Sequence, residues 1–197
     1  WLHEMDVLSK QNNVWICPVC VDLSNDEQIK QGVQTIIKEK LPIDILVNAA
    51  GIVSENRLIQ MTSVQTMRDV MQVNFFFFFQ LYQWLSRVMC RHKSGAIVNI
   101  ASIAGIDGDY AQLEYASSKA ALICATKKMA YEWGNYGIRV NAIAPGIIET
   151  KMVDSMDDKV MTTMIRYNTL NRKGLVSEIA AACAYLVSED ASYITAQ

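Results

Sequence analysis

Three short apolar runs, each closing on a small or turn-forming residue, constrain this chain most. They are Ile43 to Val47, running into Asn48-Ala49-Ala50-Gly51; Ala96 to Ile100, running into Ala101-Ser102; and Ile138 to Ala144, running into Pro145-Gly146. Runs this short and this unbroken read as strands covered on both faces, the environment of a parallel sheet. Parallel strands need long crossovers, and the intervening stretches supply them. Ser63 to His92 and Gln112 to Trp133 read as long apolar helices. Glu27 to Lys40 is amphipathic behind Ser24 and Asn25 as caps, and Ser177 to Ser188 opens on a cap at Ser177. Val14 to Val21 reads as a fourth strand, placed at an edge because Pro18 has no N–H for the ladder. Strand and helix in alternation predict an α/β fold: a Rossmann-like, doubly wound parallel sheet in three layers, α/β/α. Ligands of such folds sit at the carboxyl ends of the strands, where the short polar segments fall.

Composition narrows the function. With 197 residues, 51% hydrophobic and 19% charged, the chain makes one domain over 1–197. A formal net charge of -2 leaves no basic footprint for nucleic acid. No run reaches the roughly 18 apolar residues that span a bilayer. Five cysteines, an odd number among apolar neighbours, predict buried thiols in a reducing compartment. Cys17-Pro18-Val19-Cys20 has the spacing of a redox or zinc pair. Inside a strand, however, positions three apart face opposite ways, and no second ligand pair follows, so packing residues are expected. Phe75 to Phe79 point around a whole helix, which predicts burial on every face, in the core and in a subunit interface. Lining of a substrate pocket is the alternative.

Tyr115 and Lys119 stand one helical turn apart, so phenol and ammonium share a face. A free phenol, with a pKa of about 10, is a poor acid–base group at neutral pH; a nearby cation stabilises phenolate and lowers that value. The spacing alone also fits an ordinary surface pair. Companions give it weight. Ser102 closes a strand, where its hydroxyl can donate to a carbonyl that Tyr115 protonates. Asn74 enters from the long preceding helix. Pro145-Gly146-Ile147-Ile148-Glu149-Thr150 follows the last strand, with backbone and hydroxyl groups that suit a dinucleotide.

Asn-Ala-Ala-Gly at 48–51, Asn74, Ser102, Tyr-x-x-x-Lys at 115–119 and Pro-Gly-x-x-x-Thr at 145–150 together resemble the short-chain dehydrogenase/reductase family, in order and spacing from Val14 to Gln197. The resemblance implies the site roles. Tyr115 is the general acid in reduction, and Lys119 lowers its pKa and bonds the nicotinamide ribose. Ser102 orients the carbonyl, and Asn74 holds a water that relays protons to Lys119. Asn48, Ala49, Ala50 and Gly51 line the adenosine side of the cofactor, and Asp22-Leu23 face the adenine. Ile148 meets the carboxamide through its backbone, with Pro145, Gly146 and Thr150 beside it.

Within the family, the segments 48–61, 145–152 and 190–195 resemble 3-oxoacyl-[acyl-carrier-protein] reductases of fatty-acid biosynthesis. That subgroup implies NADP(H) in preference to NAD(H), a small-molecule or acyl-carrier-protein-bound substrate, and a cytoplasmic homotetramer or homodimer. Lys93 falls where the subgroup has a basic docking residue, although Arg91-His92-Lys93 also fits a solvated helix end. Tyr136 stands at a second docking position, a departure from the pattern. Other readings are a dehydrogenase of another secondary alcohol or ketone, and a non-catalytic partner subunit. The family begins with a strand, a Thr-Gly-x-x-x-Gly-x-Gly turn, a helix and a second strand. Trp1 to Ser9 resembles the tail of the helix that follows these, so the domain is expected to be truncated at both ends. The 197 residues alone are then expected to be poorly stable and to bind cofactor weakly.

Overall fold

The computed structural model describes residues 2–107, 110–150, 152–153 and 158–197. Trp1 and Lys151, which belong to segments read above, lie outside the described residues. Packing divides the chain into two compact units, Trp1–Leu41 and Pro42–Gln197.

The first unit holds α1 (Leu2–Asn12) and α2 (Asp26–Lys38). Asn25 caps α2 as expected: its side-chain oxygen accepts the N–H groups of Glu27 and Gln28, each at 3.1 Å. The apolar stripe of α2 buries Ile29, Gly32 and Val33. Gly32 is required there, since a Cβ would lie 2.5 Å from Val21 Cγ2. The expected strand from Val14 to Val21 is not formed, because no ladder partner exists for it among the described residues. The packing expected of Cys17 and Cys20 is also absent, as both are exposed, and Cys124 with them.

The second unit is built on β1 (Ile45–Asn48), β2 (Gly95–Ile100) and β3 (Ile138–Ile143), paired in that order. Both pairings are parallel, as the unbroken apolar runs predict, with Asn48 opposite Asn99 and Asn99 opposite Ala142. The first crossover comprises α3 (Val64–Met71), a π-helical segment (Gln72–Phe76) and α4 (Phe77–His92). The second is α5 (Leu113–Trp133). Beyond β3 follow α6 (Asp158–Tyr167), absent from the sequence reading, and α7 (Val176–Val187). The result is a Rossmann-like α/β fold.

Phe78, Tyr82, Met89, Ile97, Leu122, Ile138 and Val140 form the centre of the core. Full burial of such side chains stabilises by roughly 1.5–3 kcal/mol each. The phenylalanine run is covered on one side only. Phe78 is 1% exposed, whereas Phe76 and Phe79 are 46% and 50% exposed. The cap of α7 is not Ser177: the Glu178 carboxylate accepts the Leu175 N–H at 2.7 Å and holds Arg172 through two nitrogens. The tail runs along β3, where the Ala196 N–H reaches Val140 O at 2.9 Å. Arg139 donates to Leu186 O and Ser188 O and so satisfies the carbonyls that end α7. No helix among the described residues is long and apolar enough to cross a membrane.

Candidate active site

Asn74 is the hinge of the site. It is fully buried inside the π-helical segment, where the Phe77 N–H reaches back to Gln72 O and inserts one residue into the turn. Its amide is almost saturated. Nδ2 donates to Ile52 O at 2.9 Å and to Ser118 Oγ at 3.0 Å, and Oδ1 accepts the Ile52 N–H at 2.8 Å. One lone pair of Oδ1 remains, so a water held by Asn74 must be its donor. Ser118 in turn donates to Tyr115 O at 2.7 Å. A chain of bonds therefore runs from the turn after β1, through Asn74, to the backbone of α5 at Tyr115.

Lys119 closes the same cluster. Its ammonium donates to Ile100 O at 2.8 Å and lies 5.7 Å from the centre of the Tyr115 ring. Gly51 is the third wall. A Cβ there would sit 3.3 Å from Asn74 Oδ1 and 3.4 Å from Lys119 Nζ, so residue 51 packs directly against both polar atoms. Ser102 lies beside the Tyr115 phenol and acts on it in the direction that lowers its pKa. Its Oγ also accepts the Ala104 N–H at 3.2 Å, which starts a short 3₁₀ turn over Ile103–Gly105. That turn lies hard against α5, for a Cβ on Gly105 would stand 2.7 Å from Ala120 N.

The electrostatics differ from what the spacing predicts. Burial raises the Tyr115 pKa above its ordinary value, and the Ser102 hydroxyl only opposes this. Burial also lowers Lys119 to about 8. Burial therefore sets the direction of the Tyr115 shift, and the Lys119 ammonium, still mostly charged at neutral pH, is directed at Ile100 O. The site holds a neutral phenol beside a lysine that titrates close to neutrality.

The remaining candidates separate into groups. Asn48 does not turn toward the strand ends. Its amide donates to Tyr82 Oη at 3.0 Å and Asn99 Oδ1 at 2.6 Å inside the core. Pro145 O accepts the Ile103 N–H at 3.0 Å, tying the Ser102 turn to the segment after β3. Ile148 bridges Gly174, Gly146 has open space where a side chain would go, and Thr150 is exposed with Oγ1 3.5 Å from Ile148 O. Asp22 and Leu23 belong to the first unit. There the Asp22 carboxylate accepts Ser24 Oγ–H at 2.7 Å and Ser24 N–H at 2.9 Å, which lowers its pKa. Lys93 is exposed in a left-handed C-cap of α4.

Sequence reasoning missed Ser118 and Glu114. Ser118 stood within the Tyr-x-x-x-Lys motif as an unassigned position. Glu114 reads as an ordinary acid in the first turn of a helix, yet it is 1% exposed.

The family model described as enoyl-(acyl carrier protein) reductase matches residues 3–197. A 3-oxoacyl-[acyl-carrier-protein] reductase of Chlamydia trachomatis is 36% identical over 190 residues, 96% of this chain and 76% of that protein. The crystal structure of a 3-oxoacyl-[acyl-carrier protein] reductase from Brucella melitensis superposes with a TM-score of 0.90 at 30% identity, covering 100% of this chain and 74% of that one. A 4-hydroxyisoleucine dehydrogenase complexed with NADH superposes at 0.83 with 38% identity, over 89% of this chain and 73% of that one.

Proposed function

The chain belongs to the short-chain dehydrogenase/reductase family and is an oxidoreductase; from that footing we propose that it reduces a 3-oxoacyl thioester to the 3-hydroxyacyl form, with Tyr115 as the acid. The single observation that carries the acid–base assignment is the convergence of Tyr115, Ser102, Lys119 and Asn74 at the carboxyl ends of adjacent strands. Substrate class comes from the reductases that the chain resembles.

Ala49, Ala50, Gly51, Pro145, Gly146, Ile148, Thr150 and Lys119 would hold a nicotinamide dinucleotide. The side-chain-free backbone at Gly51, with an ammonium 3.4 Å from where a Cβ would be, fits such a ligand. The nicotinamide, when bound, supplies the hydride to the carbonyl carbon. Ser102 positions the carbonyl oxygen by a hydrogen bond, and Tyr115 gives that oxygen its phenolic proton as the C–O double bond becomes single. A phenol kept neutral by burial is in the right state to donate. The proton returns to Tyr115 from the Lys119 side, where the free lone pair of Asn74 can orient a water.

NADP(H) in preference to NAD(H) is part of the proposal and rests on the resemblance to the reductase subgroup. So do acyl-carrier-protein delivery of the substrate, the homotetramer or homodimer, and the cytoplasmic setting. The second reading is oxidation or reduction of another secondary alcohol or ketone, favoured by the likeness to a 4-hydroxyisoleucine dehydrogenase. Steady-state kinetics with acetoacetyl thioester and a cyclic ketone, each with NADPH and NADH, and with a free hydroxy acid, with NADP+ and NAD+, separate the two. The thioester with NADPH is expected to give the highest kcat/KM. A free hydroxy acid or ketone preferred by tenfold overturns the thioester reading, and NADH preferred overturns the cofactor choice.

A further inference from the structure

Glu114 occupies an unfavourable place. It precedes Tyr115 on α5, is 1% exposed, and Oε2 has no hydrogen-bond partner among the described residues. Burying a carboxyl oxygen without a partner costs on the order of 1–3 kcal/mol. The positive end of the helix dipole offsets part of that, since Glu114 lies in the first turn. Oε1 accepts the hydroxyl of Ser54, in the loop after β1. Two further bonds join the same loop to the start of α5: Gln112 N–H to Arg57 O at 3.3 Å and Gln112 Nε2 to Ser54 O at 3.4 Å. At its other end the loop is held by Asn74, which grips both backbone groups of Ile52.

The entry to α5 is strained as well. Ala111 and Gln112 both have left-handed backbones, with φ of 66° and 53°. Each such residue other than glycine costs of order 1 kcal/mol and persists only where surrounding contacts fix it. Those contacts are the three bonds to the Ser54–Arg57 loop. The strained corner and the buried carboxyl thus stand in the same few residues, immediately ahead of the phenol.

We propose that Glu114 is a positioning residue, clasping the Ser54 loop to the first turn of α5 so that Tyr115 is held at the distance its proton transfer requires. The proposal rests on the assignment of Tyr115 as the acid. The clasp needs an acceptor at Oε1 and a filled space at Oε2, not a negative charge. Glutamine keeps both and alanine keeps neither.

The test compares Glu114→Ala, Glu114→Gln and Ser54→Ala by kinetics and by hydrogen exchange of the loop amides. A misplacement of about 1 Å costs roughly 100-fold in rate. Glu114→Ala is therefore expected to lose between about 10- and 100-fold in kcat, with the cofactor KM changed less than twofold. Ser54→Ala should follow it, the double variant should be no worse than Glu114→Ala, and Glu114→Gln should recover most of the rate. Exchange of the Gln112 N–H should accelerate in the alanine variants and not in the glutamine one. A glutamine variant as slow as the alanine variant overturns the proposal, as does unchanged kcat in Glu114→Ala. Faster exchange with unchanged kcat places the failure in the link to Tyr115, whereas unchanged exchange removes the clasp itself.

Discussion

Two clusters of buried polar groups draw on the same two crossover segments, and they differ in how fully they are bonded. In the first, Asn48 donates to Tyr82 and Asn99, Tyr82 donates to Asn99, Asn99 donates to Thr126, and Thr126 donates to Leu122 O. Every member bonds at least one other group, and Tyr82 is pushed far above the ordinary phenol range by burial. In the second, Asn74 keeps a spare lone pair, Lys119 is brought down to about 8, Tyr115 stays neutral, and Glu114 Oε2 is unpartnered. Saturated networks fix structure, and unsaturated ones keep capacity for a reacting group. The two tyrosines make the contrast sharpest: burial keeps both neutral, but only Tyr115 lies at the strand ends, beside a serine and a lysine.

That comparison is broken most directly by removing each hydroxyl or amide in turn. Tyr115→Phe should lower kcat by 10²- to 10⁴-fold, the usual worth of a positioned acid, while the melting temperature moves little. Unchanged turnover would refute the assigned acid. Asn99→Ala should do the reverse. It strips partners from Asn48, Tyr82 and Thr126 together, leaves buried donors unmade, and should destabilise by roughly 3 kcal/mol in denaturant titrations. The kcat of the protein that stays folded should remain within a few-fold. A stable Asn99→Ala with lost activity would mean that the saturated network reaches into the chemistry.

The distinction between the clusters was only half legible in the residues. The apolar runs announced β1, β2 and β3 within two residues, but the burial they predict holds for β2 and not for β1, where Ile45 and Val47 are 50% and 44% exposed. Asn74, Ser102, Tyr115 and Lys119 could be named because motif spacing carries them. What depended on tertiary partners could not be read. Val14 to Val21 has the composition of a strand, but a strand exists only with a neighbour. The π-helical turn at Gln72–Phe76 has no local pattern, as it accompanies the grip of Asn74 on Ile52. Asn48 looked like a cofactor contact, although its amide serves Tyr82 and Asn99. Glu114 looked solvated, since an acid in a first helical turn normally is. The direction of the Tyr115 shift is set by burial, which spacing does not report.

Lys119 supplies the smallest and most diagnostic test, through pH. Its ammonium is disfavoured in the folded chain, with a pKa of about 8 against the ordinary 10.5. Between those values the unfolded chain binds more protons, so this group makes stability rise with pH across that window and exerts its full destabilising effect below about pH 8. Lys119→Met removes the buried charge but also the bond to Ile100 O. At pH 7 the variant should be more stable than the parent by an amount of the order of 2 kcal/mol, after the lost hydrogen bond is set against the desolvation. The gap should shrink as pH climbs from 8 to 10. Denaturant midpoints of both proteins at matched pH values read it directly. A gap that stays constant or widens would mean that Lys119 is not held down by burial, and the unsaturated cluster would then lose its titrating member.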